Sequence, residues 1–473
     1  MRPEAARRVS FGPRDRRGLI AGVRSSQALL LATVLVAAVA LLRTLRLALG
    51  VPLALVLVLA ALALAFWPVR GRTLEEWLPV VAGFSRKALS GASREVVAIE
   101  RGPGGRRAPG PLAAFELLEV ESAALGRFGA LLDRGEGRLS AVLEVGGEGF
   151  ALLGDAERTA RVARWSSLLA GQVRSGSLAR LQWIERTLPD RGELYRARLA
   201  QAAPNDSPAL LRARRSYASL LDAEVAATLV HELLLVVSVD GPRADRHDER
   251  AARAAATLAG VLRGLREACE EAGLSVQRVP SRAALAALVS RGVDPQGRAR
   301  SSWPWPVAIE EQWSMFRTDG TWHATYWIAE WPRAAVGTDF LHPLLVGARL
   351  RRAVSLVMAP VAPHVAARAV EHARTASAAD AALRRQHGFA LTARRRREQE
   401  AVLRREVELA DGHAAFRFSG YVTVSAADPA ALEPSCEALE RAAAACHLEL
   451  QRLYGNQAEA FCCSLPVGRG CSP

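Results

Sequence analysis

Two apolar runs near the N-terminus constrain this chain more than any other feature. Ala28–Leu42 is apolar except for Thr33, and Leu47–Trp67 is apolar throughout. A helix needs ~20 such residues to cross the ~30 Å core of a bilayer. The second run is long enough alone, and the first reaches that length when Ser26 and Gln27 are counted with it. Only Arg43–Arg46 separates them, with Gly50 and Pro52 just beyond, which suits a tight turn. The pattern predicts a transmembrane helical hairpin over residues 27–68. A cleaved signal peptide fits less well, because the charged leader is long and a second apolar run follows at once. A soluble hairpin is the other alternative, and it would bury these side chains in a core.

Charge sets the orientation. Arg2, Arg7, Arg8, Arg14, Arg16, Arg17 and Arg24 precede the first run, and Arg70, Arg72, Arg86 and Lys87 follow the second. Arg43 and Arg46 in the turn are outnumbered. The positive-inside rule therefore predicts a two-pass protein of the cell membrane with both termini cytoplasmic. Trp67 and Trp77 are candidate interfacial anchors, and Arg14, Arg16, Arg17, Arg24, Arg70 and Arg72 are the membrane-flanking residues. The whole chain carries a net charge of +14 over 473 residues. Residues 1–90 hold 13 basic and four acidic residues, so most of that excess lies beside the membrane, where it can touch anionic lipid. The remaining body is nearly balanced.

Beyond Leu89 a Gly/Pro/Arg stretch, Arg101–Pro111, reads as a linker. Strand and helix signals then alternate. Strands are expected at Phe115–Glu121, Arg138–Gly146, Leu178–Leu188, Leu229–Val239 and Ser275–Val279, with helices from Asp155, from Asp248 and from Ser281. The second half repeats this rhythm. It has a strand pair at Ala308–Arg317 and Trp322–Trp331 joined by Thr318-Asp319-Gly320-Thr321, then a strand at Ala353–Val361. A helical region over His364–Ala410, broken near Gly388, precedes a strand at Phe416–Ser425. A helix at Pro429–Ala445, a strand at Leu448–Leu453 and a short helix ending near Cys462 complete the pattern. The fold class is α+β: a transmembrane hairpin followed by cytoplasmic α+β domains of duplicated ferredoxin-like type. The expected divisions are a basic leader (1–26), the hairpin (27–68), a juxtamembrane segment and linker (69–112), and two α+β domains (113–300 and 301–473).

Chemistry-bearing motifs are sparse. Arg394–Arg397 is interleaved downstream with glutamates four residues on, at Arg394/Glu398 and Arg396/Glu400, as on a solvated helix. Trp303, Trp305, Trp313, Trp322, Trp327 and Trp331 hold six of the ten tryptophans and are the candidate partner interface. No HExxH, CxxC or GxSxG pattern occurs, so no catalytic residue, cofactor site or metal site is assigned. Cys462, Cys463 and Cys471 lack zinc-ligand spacing and are expected as free thiols. Lys87 is the sole lysine, in a segment with no Gly-rich loop, and the glycine spacing of Gly292–Gly297 leads into Arg298-Ala299. A conventional P-loop nucleotide site is therefore excluded.

Several segments resemble an actinobacterial family of integral membrane proteins. They are Phe11–Gly18, Phe66–Val69, Gly71–Pro79, Leu181–Pro189, Trp303–Pro306, Trp322–Trp331 and Gly420–Ser425. Members of that family resemble components of conjugative or type IV secretion systems. The hairpin is similar to a PrgI-like inner-membrane subunit, and the rest is similar to the non-catalytic N-terminal half of TraC-like secretion ATPases. Ala458–Pro466 resembles the segment that precedes the motor in those ATPases. The resemblance implies a non-enzymatic inner-membrane platform that docks a separate P-loop ATPase, assembles with other secretion subunits and oligomerises there. A membrane-tethered nucleic-acid-binding module is the alternative.

Overall fold

The structure is a computed structural model that describes residues 9, 11, 25–69, 71–97, 107–147, 149, 152–190, 207–225, 228–242, 248–297, 300, 302–386 and 393–470. Two helices, α1 (Ser25–Thr44) and α2 (Leu47–Phe66), form the expected hairpin. A small ribbon, β1 (Pro68–Val69) and β2 (Arg72–Thr73), leads into α3 (Leu74–Leu89). Acidic Glu75 and Glu76 open α3 and basic Arg86 and Lys87 close it, matching the helix dipole at both ends. β3 (Arg94–Val96) follows.

The first half of the body contributes β4 (Phe115–Ser122), β5 (Gly126–Asp133), β6 (Arg138–Gly147), α4 (Asp155–Ser175), β7 (Arg180–Pro189), α5 (Pro208–Val225), β8 (Leu229–Asp240), α6 (Asp248–Glu271), β9 (Leu274–Arg278) and α7 (Arg282–Val293). The second contributes β10 (Ala308–Glu311), β11 (Phe316–Thr318), β12 (Thr321–Glu330), β13 (Arg352–Pro360), α8 (Pro363–Gln386), α9 (Ala393–Ala410), β14 (Phe416–Ala426), α10 (Pro429–Ala445), β15 (Glu449–Arg452) and α11 (Gln457–Cys462).

Duplication is visible in the topology. In the first half the order β9-β6-β8-β7 is entirely antiparallel, with α4 between β6 and β7 and α6 between β8 and β9. That is the 4-1-3-2 order of a ferredoxin-like βαββαβ unit. The second half repeats it as β15-β12-β14-β13, with α10 in the place of α6. A short π-helical turn at Pro343–Gly347 stands where α4 would be. Each unit is preceded by two meander strands, β4-β5 and β10-β11.

The halves do not form separate sheets. β7 pairs antiparallel with β13, from Arg352 opposite Thr187 to Met358 opposite Leu181, so a single 13-stranded sheet runs through both. β3 adds to the far edge beside β10. Helices cover both faces. One face packs Leu139, Ala141, Leu235 and Val237 under α4 and α6, and Ala324, Tyr326, Val422 and Val424 under α10. The other packs Val142, Ile184 and Val236 against α7 and α11.

Local chemistry explains many boundaries. Asp428 Oδ1 accepts from the Ala431 amide at 2.8 Å and caps α10, with Pro429 at its first position. Gly176, at φ +67°, closes α4 in the left-handed conformation. The expected turn after Thr318 is present, and Asp319 Oδ1 accepts from the Val307 and Ala308 amides at 2.8 and 2.9 Å. Three expectations need correction. Ala308–Arg317 is two strands, because the chain turns back where Gln312 N–H donates to Met315 O at 2.9 Å. β5 lies between the two strands expected in residues 115–146, and α3 and α5 are helices that the sequence pattern did not signal. The Gly388 break and part of the Arg101–Pro111 linker lie outside the described residues.

Candidate functional site

The membrane hairpin is uncovered. α1 and α2 touch along a seam of small residues, Ala38, Ala54, Ala61 and Ala65, all at most 6% exposed. Small residues let transmembrane helices approach closely. Around that seam Leu29, Leu35, Val36, Leu49 and Val56 are 62–71% exposed. At ~25 cal/mol per Å² of apolar surface, leaving two such helices in water is strongly unfavourable. A soluble core hairpin would hide them, and both helices are long and apolar enough to cross a membrane, which supports a membrane location. At its base Gln27 Nε2 donates to Ala65 O at 2.8 Å, which satisfies a carbonyl of the last turn of α2. Trp67 is exposed there, as an interfacial anchor would be. Trp77, the other anchor candidate, is instead turned inward.

Trp77 belongs to a clamp that fixes the hairpin to the body. Its Nε1 donates to Val69 O at 3.0 Å, and its ring lies 5.8 Å from Trp313 and 5.9 Å from Tyr454. Phe84, two turns further along α3, meets Trp313 edge-on at 5.3 Å. Gly455, at φ +71°, allows this packing: a Cβ there would stand 2.8 Å from the Trp313 ring and 2.9 Å from Val80. The clamp ends on an ion pair, Lys87 Nζ to Glu311 Oε2 at 3.1 Å. Arg72 stacks over the Trp77 ring at 5.6 Å. The other membrane-flanking candidates, Arg14, Arg16, Arg17, Arg24 and Arg70, lie outside the described residues.

A second contact ties Val9 and Phe11 of the leader to the body. Val9 and Val336 exchange backbone hydrogen bonds of 2.9 and 3.0 Å. Phe11 stacks on Trp331 at 5.0 Å and meets Phe340 at 5.5 Å. The segment before α1 and the body after α2 therefore sit on one another.

The six candidate tryptophans do not converge on one surface. Trp305 is 3% exposed and stacks on Phe115 at 5.8 Å, with Trp303 packed against the same core. Trp313 lies in the clamp and Trp331 in the leader contact. Trp322 packs toward α10 beneath Arg317 at 5.4 Å. Trp327 faces the opposite side of the sheet, against Val357, Tyr421 and Cys463. Strand alternation separates Trp322 from Trp327.

Residues 457–470 close the centre of the sheet. Gln182 of β7 donates to Cys463 O and Leu465 O at 2.9 and 3.0 Å and accepts from the Gly468 amide at 2.9 Å. Ser355 of β13, which also accepts from Gln182, donates to Cys463 O at 2.7 Å. Gln457 accepts from Thr325 N–H and donates to Thr325 O. Arg180 donates to Gly468 O. The tail thus crosses the β7–β13 junction and is bonded to both halves.

Buried charge flanks this junction. Glu232 accepts from Arg186 and pairs with Arg291 at 2.8 Å, which holds its carboxyl below the ordinary range despite burial. Glu185 pairs with His231 at 2.6 Å and with Arg352 at 3.3 Å. Arg452 forks onto Glu433, and Arg469 pairs with Asp133 at 3.5 Å. These body arginines are held in internal pairs. Arg186 and Arg352 also line a small cavity with Gly292, Thr423 and Ser464.

Reactive groups are sealed. Burial pushes the Cys269 thiol up to about 11 and the Cys462 thiol up to about 12, and Cys436 and Cys446 upward as well. Cys463 is also free and buried, and Cys471 lies outside the described residues. His323 is wholly buried between Thr318 and Ser425, at 2.7 and 2.8 Å, and desolvation pushes its pKa down to about 3. Among the described residues no group of three or more His, Cys, Asp or Glu could hold a metal ion.

No curated protein matches the chain. Residues 227–328, from the start of β8 through β12, match the family model "Putative type VII ESX secretion system translocon, EccE". The matched stretch straddles the junction of the two halves and includes α6, α7 and the Trp313 turn. It is not a match to a type IV or TraC-like component. Taken with the uncovered hairpin, the similarity supports a membrane component of a bacterial secretion system.

Proposed function

We propose that this chain is a non-catalytic, membrane-anchored scaffold subunit of a secretion translocon of the type VII kind named by the match, rather than the type IV kind its sequence resembles. The hairpin crosses the membrane twice, and leader and body lie together on the cytoplasmic side. The observation that carries this role is the aromatic clamp, which holds α3, the helix that follows an uncovered apolar hairpin, against a broad sheet body that contains a secretion-family segment. The leader contact through Val9 and Phe11 supports the topology, since both flanks of a two-pass hairpin must share one side. The body is a docking platform for other secretion subunits, and a separate ATPase supplies the motor. Of the six candidate tryptophans only Trp305 is fully buried, and Trp322 and Trp331 are the two we assign to a partner surface.

The test is affinity purification of the tagged full chain from detergent-solubilised membranes of its native host. Recovery of further secretion subunits together with a P-loop ATPase is expected. Recovery of the chain alone, under conditions that keep a translocon intact, would contradict the scaffold role.

A further inference from the structure

The two duplicated halves differ in how the outer edge of the meander is covered. In the second half, Ile309 and Glu310 of β10 lie opposite Thr318 and Arg317 of β11, and the Asp319 amide donates to Ala308 O at 3.0 Å. In the first half, Phe115 and Glu116 of β4 lie opposite Asp133 and Leu132 of β5, and the Arg134 amide donates to Ala114 O at 2.9 Å. Glu116 is thus the counterpart of Glu310, and Leu117 that of Glu311. On β10 the outer edge is taken by β3. Glu311 N–H donates to Ser93 O at 2.6 Å, and Arg94 lies opposite Glu310, 3.5 Å from its carboxylate. On β4 the same edge carries no strand among the described residues.

Register shows which groups this leaves unpaired by a strand. Antiparallel neighbours bond through alternate residues. The Ala114–Arg134 bond therefore puts Glu116, Leu118 and Val120 in the pairs bonded to β5, and the amides and carbonyls of Leu117, Glu119 and Glu121 point away from it. Phe115 N–H is turned back onto Leu112 O, so the open stretch begins at Leu117. Glu119 and Glu121 are exposed. Glu121 meets Arg127 at a loose 3.9 Å, whereas Glu116 is held by Arg134 of its own turn at 3.0 Å. Leu118 and Val120, on the other face of the strand, pack into the core under α6. Such an edge suits a strand with cationic side chains opposite Glu119 and Glu121 and apolar ones between them, opposite Leu118 and Val120. The β4 of a second copy would set glutamate against glutamate, so charge disfavours self-pairing.

We infer that the β4 edge over Leu117–Glu121 binds, by strand addition, an extended segment of another secretion subunit in which basic and apolar residues alternate. That the segment belongs to such a subunit rests on the scaffold role proposed above; the edge and its charge do not. The probe is a fluorescein-labelled peptide, Arg-Val-Arg-Val-Thr, with Glu-Val-Glu-Val-Thr as its control. Each is added to the full chain in detergent at low salt, where exposed charges are least screened. A saturable rise in anisotropy is expected with the basic peptide alone, with half-saturation below about 1 mM. Hydrogen exchange should then slow by roughly tenfold at the Leu117, Glu119 and Glu121 amides. It should stay unchanged at Leu118 and Val120, which β5 already holds. Glu119→Pro deletes one outward N–H and no β4–β5 bond, so it should weaken binding about tenfold with the fold retained. Where that variant does not fold, Glu119→Lys with Glu121→Lys should transfer the preference to the acidic peptide. No saturable binding, binding without protection of those three amides, or equal affinity for both peptides would overturn the proposal. Specific peptide binding by a chain that recovers no secretion subunits from its membranes would support the edge site and count against the scaffold role.

Discussion

Lys87 and Glu311 are 224 residues apart and form a 3.1 Å ion pair in which the carboxylate is nearly inaccessible, with a side chain 4% exposed. The second oxygen of Glu311 accepts from the Ala458 amide at 3.0 Å, in the first turn of α11. One carboxylate thus joins the helix that follows the apolar hairpin to the segment that closes the sheet. The sole lysine of the chain is a structural connector.

Lys87→Met should leave Glu311 buried with only its amide partner and destabilise the protein by roughly 1–3 kcal/mol. Glu311→Gln should cost less, because a neutral amide leaves no buried charge and can still accept from Ala458, while Lys87 is exposed enough to be solvated. Chemical denaturation of both variants and of the double variant measures the coupling. Independent, additive effects would refute the pairing.

Trp313→Ala removes the ring that Trp77, Phe84 and Tyr454 share. Truncation of a well-packed tryptophan costs about 3–5 kcal/mol, with the lower part expected for a ring that is only partly buried. Membrane association should persist, since α1 and α2 are untouched. Loss of membrane association in a folded variant would argue against an independent hairpin anchor.

Gly468, at φ +71°, passes so close to the sheet that a Cβ would stand 2.3 Å from Ser238 Oγ and 2.6 Å from Ser140 Oγ. Gly468→Ala should therefore both strain the backbone and displace the tail, at a cost on the order of 1–3 kcal/mol for the strain alone. Hydrogen exchange at residues 457–470 reads the displacement. Unchanged protection would show that the tail does not depend on this close approach.

His323 gives a defined pH dependence. Its folded pKa of about 3 lies below the unfolded value of ~6.5, so the unfolded chain binds the extra proton between these limits. Stability from this group is complete at neutral pH and falls as the pH drops below ~6.5 toward about 3. His323→Asn should show a shallower acid loss than the parent in thermal melts from pH 4 to 8. Identical slopes would mean that the ring is not held neutral.

The buried cysteines predict a silent thiol assay. In a Cys471→Ala protein, Ellman's reagent should react with none of Cys269, Cys436, Cys446, Cys462 and Cys463 until denaturant is added. Rapid labelling of the native protein would contradict the closed core.

Much of this architecture was legible in sequence. The hairpin followed from run length and hydropathy alone, and helices were expected from Asp155, Ser281 and Pro429, although the cap of α4 is Gly154 rather than Asp155. The repeated strand rhythm gave the duplicated ferredoxin-like order. The merger of both halves into one sheet was not legible, because it depends on β7 meeting β13 at long range. Gln182 and Ser355 look like surface positions of an amphipathic strand, yet they are buried under a tail 281 and 108 residues away. The scatter of the tryptophans was not legible for a similar reason. Six rings within residues 303–331 look like a platform, but alternation and the Gln312–Met315 turn send them to separate places. The role of Phe11 carried no local signal, since its partners are Trp331 and Phe340.

The most direct measurement of the central claim is sided cysteine labelling. Single cysteines at Arg46→Cys in the hairpin turn, Ser10→Cys in the leader and Ser219→Cys in α5 are placed in the Cys471→Ala protein. They are treated with a membrane-impermeant maleimide in right-side-out and inverted membrane vesicles. The account predicts that position 46 labels only in right-side-out vesicles and that positions 10 and 219 label only in inverted ones. Labelling of all three from one side, or of positions 10 and 219 from opposite sides, would contradict a two-pass anchor carrying leader and body together.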